Sequence, residues 1–467
     1  MHEQLEFQFS WKPVPNEGVK PRERGGVVEY GSAETEGDLT NGERMSLLDS
    51  ILSPFNLDEA MAKVRSNKGA PGVDGITVKE LEGYLNTHWS RIEEEIRSGT
   101  YKPLPVKRVE IPKPNGGTRM LGIPSVTDRV IQQAVLQRLT PIFDPEFSES
   151  SYGFRPNRSA HDAVRQARRF MEDGYYMVVD IDLEKFFDRV NHDILMARVA
   201  RKVKDKTVLK LIRAYLNSGM MCDGVCVRTE EGVPQGGPLS PLLANILLDD
   251  LDKELERRGH RFCRYADDCN IYVKSRRSGE RVKESVTRFL HEKLKLKVNE
   301  EKSAGGDRPS NRKFLGFSFV RTGFGVKIRI SPQSIKKLKD KIRFHTAAHR
   351  GISLEERLKG LNRYLSGWMG YYALTDDPSI LGGITSWMRR RMRMVVWQQW
   401  KKPIARYRNL KRLGLSEANA RKAAYNSSGA WSNSITVMTH MGLNNKFWER
   451  MGLVNLSLLH LSIRRSW

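Results

Sequence analysis

The stretch that decides the fold is Arg261-Phe-Cys-Arg-Tyr-Ala-Asp-Asp-Cys-Asn-Ile-Tyr-Val-Lys274. Its apolar and β-branched residues predict two short strands, over 261–265 and 270–274, that bracket Tyr265-Ala-Asp-Asp268. The acidic pair of this block therefore lies at the turn of a hairpin. The pair alone is weak evidence for a site, because a chain with 55 Asp and Glu among 467 residues contains several such pairs by chance.

A third acid follows an earlier strand. The apolar run Tyr176-Met-Val-Val-Asp-Ile181 predicts a buried strand that ends on Asp182. If this strand and the hairpin are neighbours in one sheet, Asp182, Asp267 and Asp268 meet at one exposed edge. Crowded carboxylates repel one another, and a pair of Mg²⁺ ions about 3.5–4 Å apart relieves that repulsion. Two such ions activate a 3′-hydroxyl and steady a departing pyrophosphate, which is the chemistry of nucleotidyl transfer.

The charge of the chain points to a polyanionic partner. Lys and Arg number 79 against 55 Asp and Glu, which gives a net charge of +24 and excludes an ordinary acidic metabolic enzyme. Residues 331–467 hold 25 Lys and Arg against 7 Asp and Glu, a net charge of +18, together with seven of the nine Trp. Such a segment can follow a phosphate backbone and stack on bases. The alternative is a solvated helical surface whose Trp residues fill its core.

Cysteine content and hydropathy indicate the cellular compartment of the protein. Four Cys at this length are too few for a disulfide framework and indicate a reducing compartment, which we take to be the cytoplasm. The sequence has no uninterrupted apolar run of about 18 residues and no pattern of a secretory signal, so no membrane partner is expected. Cys222 and Cys226 have no His nearby, so we expect no zinc site.

Helical periodicity, capping residues and turn residues organise the rest of the chain. They predict helices over 44–66, 126–143, 159–172, 353–372 and 378–402, and Ser331-Pro332 is a good start for another. Val106–Pro124 predicts a hairpin that turns at Pro114-Asn-Gly-Gly117. Residues 1–43, whose first forty are acidic where the rest of the chain is basic, are interpreted as a mobile N-terminal segment.

Three blocks together resemble a known family. Tyr265-Ala-Asp-Asp268, preceded by Pro234-Gln-Gly-Gly-Pro-Leu-Ser240 and Asp182-Leu-Glu-Lys-Phe-Phe187, is similar to the palm of a reverse transcriptase. Their order and spacing resemble the reverse transcriptase/maturase proteins encoded by bacterial group II introns, from about residue 44 to the C-terminus. The resemblance implies an α+β, right-hand polymerase with fingers and palm built on antiparallel sheet, followed by an α-helical thumb and a small helical DNA-binding C-terminus.

The resemblance also implies the catalytic acids and the metal. Asp182, Asp267 and Asp268 match the catalytic triad of acids. Asp182 and Asp267 would be the main ligands of two Mg²⁺ ions, assisted by Asp268 and the backbone carbonyl of Leu183. Asp180 is the alternative to Asp182, because strand alternation places both on the same face of the sheet.

The nucleotide pocket is implied in the same way. Phe187 lies five residues after Asp182, where the family has its gate against ribonucleotides, and this spacing favours Asp182 over the alternative acid. Gln235 matches the residue that lines the sugar of the incoming nucleotide. Lys113 and Arg119 match finger residues that grip the triphosphate, a role that suits two cations on a hairpin. The alternatives are core packing for Phe187 and an exposed basic hairpin for the two cations.

The resemblance further divides the chain by role. It implies fingers and palm with an N-terminal extension over 44–330, a thumb or maturase domain over 331–425, and a DNA-binding region over 426–467. The loop Asn67–Gly75 of the extension would lie near the template. The candidate nucleic-acid-binding residues are basic residues of this loop and of the thumb: Lys68, Lys336, Lys337, Lys339, Lys341, Arg343, Arg389 and Arg390.

The sequence therefore predicts an RNA-directed DNA polymerase that is also a maturase. Its partners would be group II intron RNA, an RNA template with a DNA or RNA primer, target DNA and dNTPs, and its cycle would be splicing followed by retrohoming. We expect the compact, class C-like type without the Cys-rich endonuclease domain of longer relatives. Two alternatives stay open: a splicing chaperone that has lost polymerase activity, and a domesticated reverse transcriptase in defence or repair. The residues that argue against the chaperone, because a degenerate copy should have lost at least one of them, are Asp182, Asp267, Asp268, Phe187 and Gln235.

Overall fold

Helices alternate with small, mainly antiparallel sheets in the part of the chain that the computed structural model describes, residues 45–112, 118–222, 225–227, 230–348 and 350–466. The strands are β1 (Val106–Pro112), β2 (Thr118–Ile123), β3 (Met177–Ile181), β4 (Met220–Cys222), β5 (Val225–Val227), β6 (Arg261–Tyr265), β7 (Asp268–Val273), β8 (Ala304–Asp307), β9 (Phe317–Thr322) and β10 (Gly325–Ile330). The helices are α1 (Leu47–Leu52), α2 (Pro54–Ser66), α3 (Leu81–Arg97), α4 (Val126–Phe143), α5 (Ala160–Glu172), α6 (His192–Lys202), α7 (Lys206–Leu216), α8 (Ser240–Arg257), α9 (Arg276–Leu294), α10 (Pro332–His345), α11 (Leu354–Tyr372), α12 (Ser379–Gln399), α13 (Pro403–Arg412), α14 (Glu417–Ala424), α15 (Ala430–Asn433), α16 (Val437–Gly442), α17 (Asn445–Arg450) and α18 (Leu456–Arg465). None of these helices is both long enough and apolar enough to cross a membrane. The N-terminal segment 1–43 lies outside the described residues.

A four-stranded sheet in the order β6-β7-β3-β8 forms the centre of the fold, and every neighbouring pair in it is antiparallel. The expectation that β3 adjoins the hairpin is confirmed. Successive side chains of a strand point to opposite faces, so Val179 packs in one apolar cluster with α8 and α9, whereas Val178 packs in another with α5 and β9. Burial on both faces explains why β3 is an almost uninterrupted apolar run.

The hairpin that carries the acidic pair is tighter than predicted. Tyr265 pairs with Asp268, so the turn consists of Ala266 and Asp267 alone. The second strand therefore begins at Asp268 and not at residue 270. Ala266 adopts a positive φ of 57°, a left-handed conformation that is uncommon for a residue with a side chain.

A second four-stranded sheet has the order β2-β1-β4-β5. Its β1 and β2 form the predicted antiparallel hairpin, whose turn at 114–117 lies outside the described residues. The helix predicted over 44–66 is interrupted, because α1 ends at Leu52 and α2 begins at Pro54. Proline lacks the backbone N–H that a continuing helix needs, and it disfavours the helical conformation at the residue before it. Ser53 is accordingly extended, with a ψ of 140°.

Helices α10, α11 and α12 share an apolar core with the last two helices, α17 and α18, whereas α13 and α14 pack in a separate cluster. Ser331 caps α10 by accepting a hydrogen bond from the Ser334 N–H, and Ser353 with Glu356 forms the predicted capping box of α11. Helices α10, α11 and α12 pack in a cluster that also contains the buried Trp448, which follows the boundary predicted at 425/426 by more than twenty residues. That boundary runs through a shared core and stays a prediction.

Trp448→Ala should destabilise the helical C-terminal part by about 3–5 kcal/mol, because a fully buried indole and its hydrogen bond to the Leu443 carbonyl (3.1 Å) are lost. Urea unfolding followed by far-ultraviolet circular dichroism measures the loss. Trp431→Ala is the control, since Trp431 is exposed and its contact with Arg390 is worth about 1 kcal/mol at most. Equal losses in the two variants would contradict the shared core.

Candidate active site

The three predicted acids lie at one end of the central sheet. Asp182 directly follows β3, and Asp268 is the first residue of β7. Ile181 pairs with Cys269, so the position after Ile181 lies beside the position before Cys269. Asp267 precedes Asp268 in the turn. The pairing of β3 with β7 thus brings the three acids together, and their catalytic role stays a prediction.

The carboxylates at this sheet end act on one another. Desolvation by the surrounding protein, followed by the charge of Asp267, raises the pKa of Asp268 to about 6, although this side chain still reaches solvent. Lys313 opposes the rise, and the charge of Asp182 adds to it. Burial and neighbouring like charges both favour either protonation of a carboxylate or a bound cation.

Asp180, the alternative to Asp182, already has a cation beside it. Burial raises the pKa of Asp180 to about 7, Arg312 opposes that rise, and the charges of Asp268 and Asp182 add to it. The Arg312 Nη1 lies 3.8 Å from the Asp180 Oδ2, and the Arg312 Nε donates a hydrogen bond to Asp307 at 2.7 Å. Asp182 has the more exposed side chain, 35% against 24%, and lies at the very end of the strand. The role of Asp182 as a metal ligand stays a prediction.

Hydrogen bonds hold the backbone that follows β3. The Asp182 N–H donates to the Ser303 Oγ at 2.9 Å, and the Asp182 carbonyl accepts from the Asn299 N–H at 2.8 Å. Leu183 forms an antiparallel bridge with Val298, and its side chain is buried. Leu183 therefore offers only its backbone to this sheet end.

The donor set fits Mg²⁺ by its chemistry. Carboxylate oxygens and a backbone carbonyl oxygen are the hard ligands that this ion prefers, and the mutual repulsion of the acids favours a cation. In the described ranges, no three His, Cys, Asp or Glu side chains are close enough together to hold a metal ion as they stand. The residues that would hold it are Asp182, Leu183, Asp267 and Asp268.

Sequence reasoning misses three cations near the acids. The Lys302 Nζ lies 3.8 Å from the Asp182 Oδ1, while Arg312 and Lys313 act on Asp180 and Asp268. All three flank β8 or the turn after it, and β8 pairs with β3 across more than 100 residues of sequence. Only the topology of the sheet reveals this proximity, because nothing in the local sequence marks these lysines and this arginine.

The loop before α8 connects Phe187, the predicted gate, with the hairpin of β1 and β2, which we call the finger hairpin. The Val233 N–H donates to the Phe187 carbonyl at 2.6 Å, and the Gly122 N–H of β2 donates to the Gln235 carbonyl at 2.8 Å. Gly236 has a φ of 125°, and a Cβ there would lie 2.6 Å from the Gly122 carbonyl oxygen, so this close approach requires glycine. Phe187 itself is half-buried. Phe187 and Gln235 are therefore tied to one continuous loop.

The structure describes one of the two predicted triphosphate-binding residues. Arg119 lies on β2 opposite Ile111 of β1. Lys113 lies outside the described residues. Their role stays a prediction.

Most of the predicted nucleic-acid-binding residues are accessible. Exposed or half-buried side chains are those of Lys68, Lys336, Lys337, Lys339, Lys341, Arg343 and Arg390. Arg389 differs, because it is buried on α12 with its Nη2 3.7 Å from the Glu449 carboxylate. A direct contact of Arg389 with nucleic acid is therefore not supported, and we exclude it from the proposed surface.

Aromatic rings organise the basic face shared by α10 and α12. The guanidinium carbons of Arg343 and Arg391 each lie 5.5 Å from the centre of a Trp387 ring, and that of Arg350 lies 4.2 Å from the centre of the Phe344 ring. Guanidinium groups held on aromatic faces present charge with little loss of side-chain freedom. Arg350 and Arg391 are candidates that the sequence analysis did not single out.

Two family models match this chain. Residues 111–319 match reverse transcriptase (RNA-dependent DNA polymerase), and residues 335–414 match the group II intron, maturase-specific domain. The chain is 35% identical over 316 residues to the protein YkfC of Escherichia coli (strain K12), which covers 59% of this chain and 83% of YkfC. It belongs to the family of group II intron reverse transcriptases. The predicted right-hand polymerase fold and the predicted enzyme class are confirmed.

Other relatives show how far the likeness extends. This group II intron reverse transcriptase is 31% identical over 368 residues to the group II intron-encoded protein LtrA of Lactococcus lactis subsp. cremoris, which covers 63% of this chain and 61% of LtrA. The chain thus spans about three fifths of LtrA. A solved partial Cas6-RT-Cas1–Cas2 complex contains a chain that is 27% identical to this one, with a TM-score of 0.35, and the likeness covers 56% of this chain and 45% of that chain.

Phe187→Ala should lower the preference of this reverse transcriptase for dNTPs over rNTPs by roughly tenfold or more, because the ring that would clash with a 2′-hydroxyl is removed. The ratio of kcat/KM for a dNTP and the matching rNTP measures it. Phe324→Ala, at a fully exposed ring between β9 and β10, is the control. An unchanged ratio in an active Phe187→Ala protein would favour core packing as the role of Phe187.

Replacing Lys336 and Lys337 together by Ala should weaken RNA binding and reduce the slope of log affinity against log salt by roughly 1–2 units. The reason is that fewer phosphates are neutralised, so fewer counterions are released when the RNA binds. Binding isotherms over a series of KCl concentrations measure the slope. Lys253→Ala on α8, a half-exposed lysine near Glu256, is the control and should leave the slope unchanged. The same slope in the double variant would remove α10 from the proposed surface.

Proposed function

We propose that this protein is an RNA-directed DNA polymerase and maturase that binds a group II intron RNA, promotes its splicing and copies it into DNA by target-primed synthesis in the bacterial cytoplasm. The observation that carries the polymerase is the pairing of β3 with β7, which puts Asp182 beside the acidic pair at an open sheet end. The maturase part is supported by the match of residues 335–414 and by the +18 charge of the C-terminal third.

The acids provide the metal chemistry of this proposal. Asp182 and Asp267, with Asp268 and the Leu183 carbonyl, would hold two Mg²⁺ ions, which when bound activate a primer 3′-hydroxyl and neutralise the departing pyrophosphate. The hydrogen bonds from the Asp182 N–H to the Ser303 Oγ and from the Asn299 N–H to the Asp182 carbonyl hold the backbone that carries this carboxylate before substrate arrives. Such pre-organisation avoids a reorganisation cost during the reaction.

Other residues select and orient the nucleotide. The Phe187 ring excludes a 2′-hydroxyl, Gln235 lines the sugar, and Lys113 and Arg119 neutralise the triphosphate. Because the loop before α8 bonds both to Phe187 and to β2, the sugar and triphosphate contacts are coupled through backbone. A movement of the finger hairpin would therefore shift the loop before α8 and, with it, the backbone of Phe187.

The basic surface provides the nucleic-acid contacts. Template and primer, intron RNA and target DNA all present phosphates, and the surface would bind them through its accessible cations: Lys68, Lys336, Lys337, Lys339, Lys341, Arg343 and Arg390. The aromatic rings of Trp387 and Trp431 hold three of the neighbouring guanidinium groups in place.

Asp267→Ala should abolish Mg²⁺-dependent primer extension on an RNA template, with a loss of at least roughly a thousandfold, because a ligand that supplies several kcal/mol of transition-state stabilisation is removed. Gel electrophoresis of labelled primer measures the cDNA. Asp193→Ala on α6 is the control, since that carboxylate is exposed and pairs only with Arg213 in the described structure.

Both variants should bind the RNA template as the wild type does. A wild-type protein that binds RNA but makes no cDNA would contradict the polymerase and favour the splicing chaperone. A wild-type protein that makes cDNA but does not stimulate splicing of any group II intron RNA in its genome would favour the domesticated enzyme.

A further inference from the structure

We infer that Arg264, Asn245 and Asp252 are positioning residues that fix the turn carrying the acidic pair Asp267-Asp268. All three are buried, so none can touch substrate, and they act through the backbone of the turn. That the turn carries catalytic acids rests on the proposed polymerase function. The contacts that hold the turn do not depend on that proposal.

Arg264 uses all of its donors within the protein. Its Nε and Nη2 donate to the two carboxylate oxygens of Asp252 at 2.7 and 2.5 Å, and its Nη1 donates to the Asn245 Oδ1 at 2.9 Å. Nη2 also donates to the Ser151 Oγ at 2.8 Å, and Nη1 also donates to the Ala266 carbonyl at 3.0 Å. A guanidinium has five N–H groups, and here every one has an acceptor.

The bond to Ala266 is the one that reaches the active site. Ala266 is the first of the two turn residues and has the left-handed φ of 57°. Such a conformation persists in a residue with a side chain only where the surroundings impose it. The Arg264 guanidinium holds the Ala266 carbonyl from inside the sheet, and the residue that follows is Asp267.

A loop holds the turn from the other side. The Asn245 Nδ2 donates to the Gly153 carbonyl at 2.8 Å, which draws the loop over 151–154 toward α8. A Cβ at Gly153 would collide with the Ala266 nitrogen, so the loop backbone lies directly on the turn backbone. Asn245 therefore contacts both groups that hold the turn. Its Oδ1 accepts from Arg264, which donates to the Ala266 carbonyl, and its Nδ2 donates to the loop that lies on the Ala266 nitrogen.

Stability alone does not explain this network. A buried ion pair contributes little net stability, because the desolvation of both charges offsets their attraction, and apolar residues of similar size would serve a core as well. A network whose members are all satisfied instead specifies one geometry. Here that geometry is the direction in which Asp267 and Asp268 leave the hairpin.

Asn245→Ala tests the inference without leaving a buried charge unpaired, since Arg264 keeps Asp252. Asn56→Ala is the matched control, because Asn56 is equally buried and also donates to backbone carbonyls, those of Ile51 and Ala134, but lies in α2. The readouts are hydrogen exchange of the amides at 265–269 and the Mg²⁺ concentration that gives half-maximal primer extension.

In Asn245→Ala we expect faster exchange at the turn than in Asn56→Ala, and a Mg²⁺ requirement raised by roughly tenfold or more, as for losses in the shell that orients metal ligands. Partial recovery of primer extension at high Mg²⁺ should follow, which a merely unfolded fraction would not show. Identical turn exchange and Mg²⁺ dependence in the two variants would overturn the inference.

The test still gives an answer if Asn245→Ala does not fold or if the wild type makes no cDNA. If Asn245→Ala does not fold, Ser151→Ala removes a single acceptor from Arg264 and takes its place, with the same expected signature. If the wild type makes no cDNA, the polymerase proposal fails by itself. The exchange measurement then decides alone whether the network positions the turn.

Discussion

The antiparallel pairing of β3 with β7 is the constraint on which the site depends. Because β3 is buried on both faces, a slip of one residue would exchange Val178 and Val179 between two differently packed clusters. The same slip would move Asp182 away from Asp268. Apolar packing several residues inside the sheet thus determines where the charged side chains stand at its end.

Charge is distributed in the opposite sense outside and inside the active site. The surface of the C-terminal third is strongly basic and suits phosphates, whereas the sheet end concentrates carboxylates, where burial and then the charge of Asp267 raise the pKa of Asp268. The fold balances these acids only in part, with Lys302 and Arg312 at the rim and each at 3.8 Å from a carboxylate. A site built this way would attract divalent cations, as the proposed function requires, and through them the triphosphate of a nucleotide.

Sequence patterns predicted the elements whose signals are local. The apolar run of β3 and the helices α4, α5 and α11 lie where periodicity and capping residues predict them, and the hairpin around Asp267 is present although its second strand begins two residues earlier than predicted. Other features depend on distant partners. Arg389 is buried because of how α12 packs against other helices. The hydrogen bonds of Arg264 reach residues as distant in sequence as Ser151. The break at Pro54 is the exception, because its signal is local, although the apolar periodicity around it predicts one continuous helix.

The shared core at the C-terminus bears on how the last forty residues act. Trp448 packs with α10–α12, and Arg390 of α12 lies 3.8 Å from the ring centre of Trp431. A DNA-binding surface on these residues would therefore be oriented by the same apolar core that orients the basic face of α10. Target DNA and intron RNA would then bind to helices that share one apolar core, so that binding of one constrains where the other can lie relative to those helices.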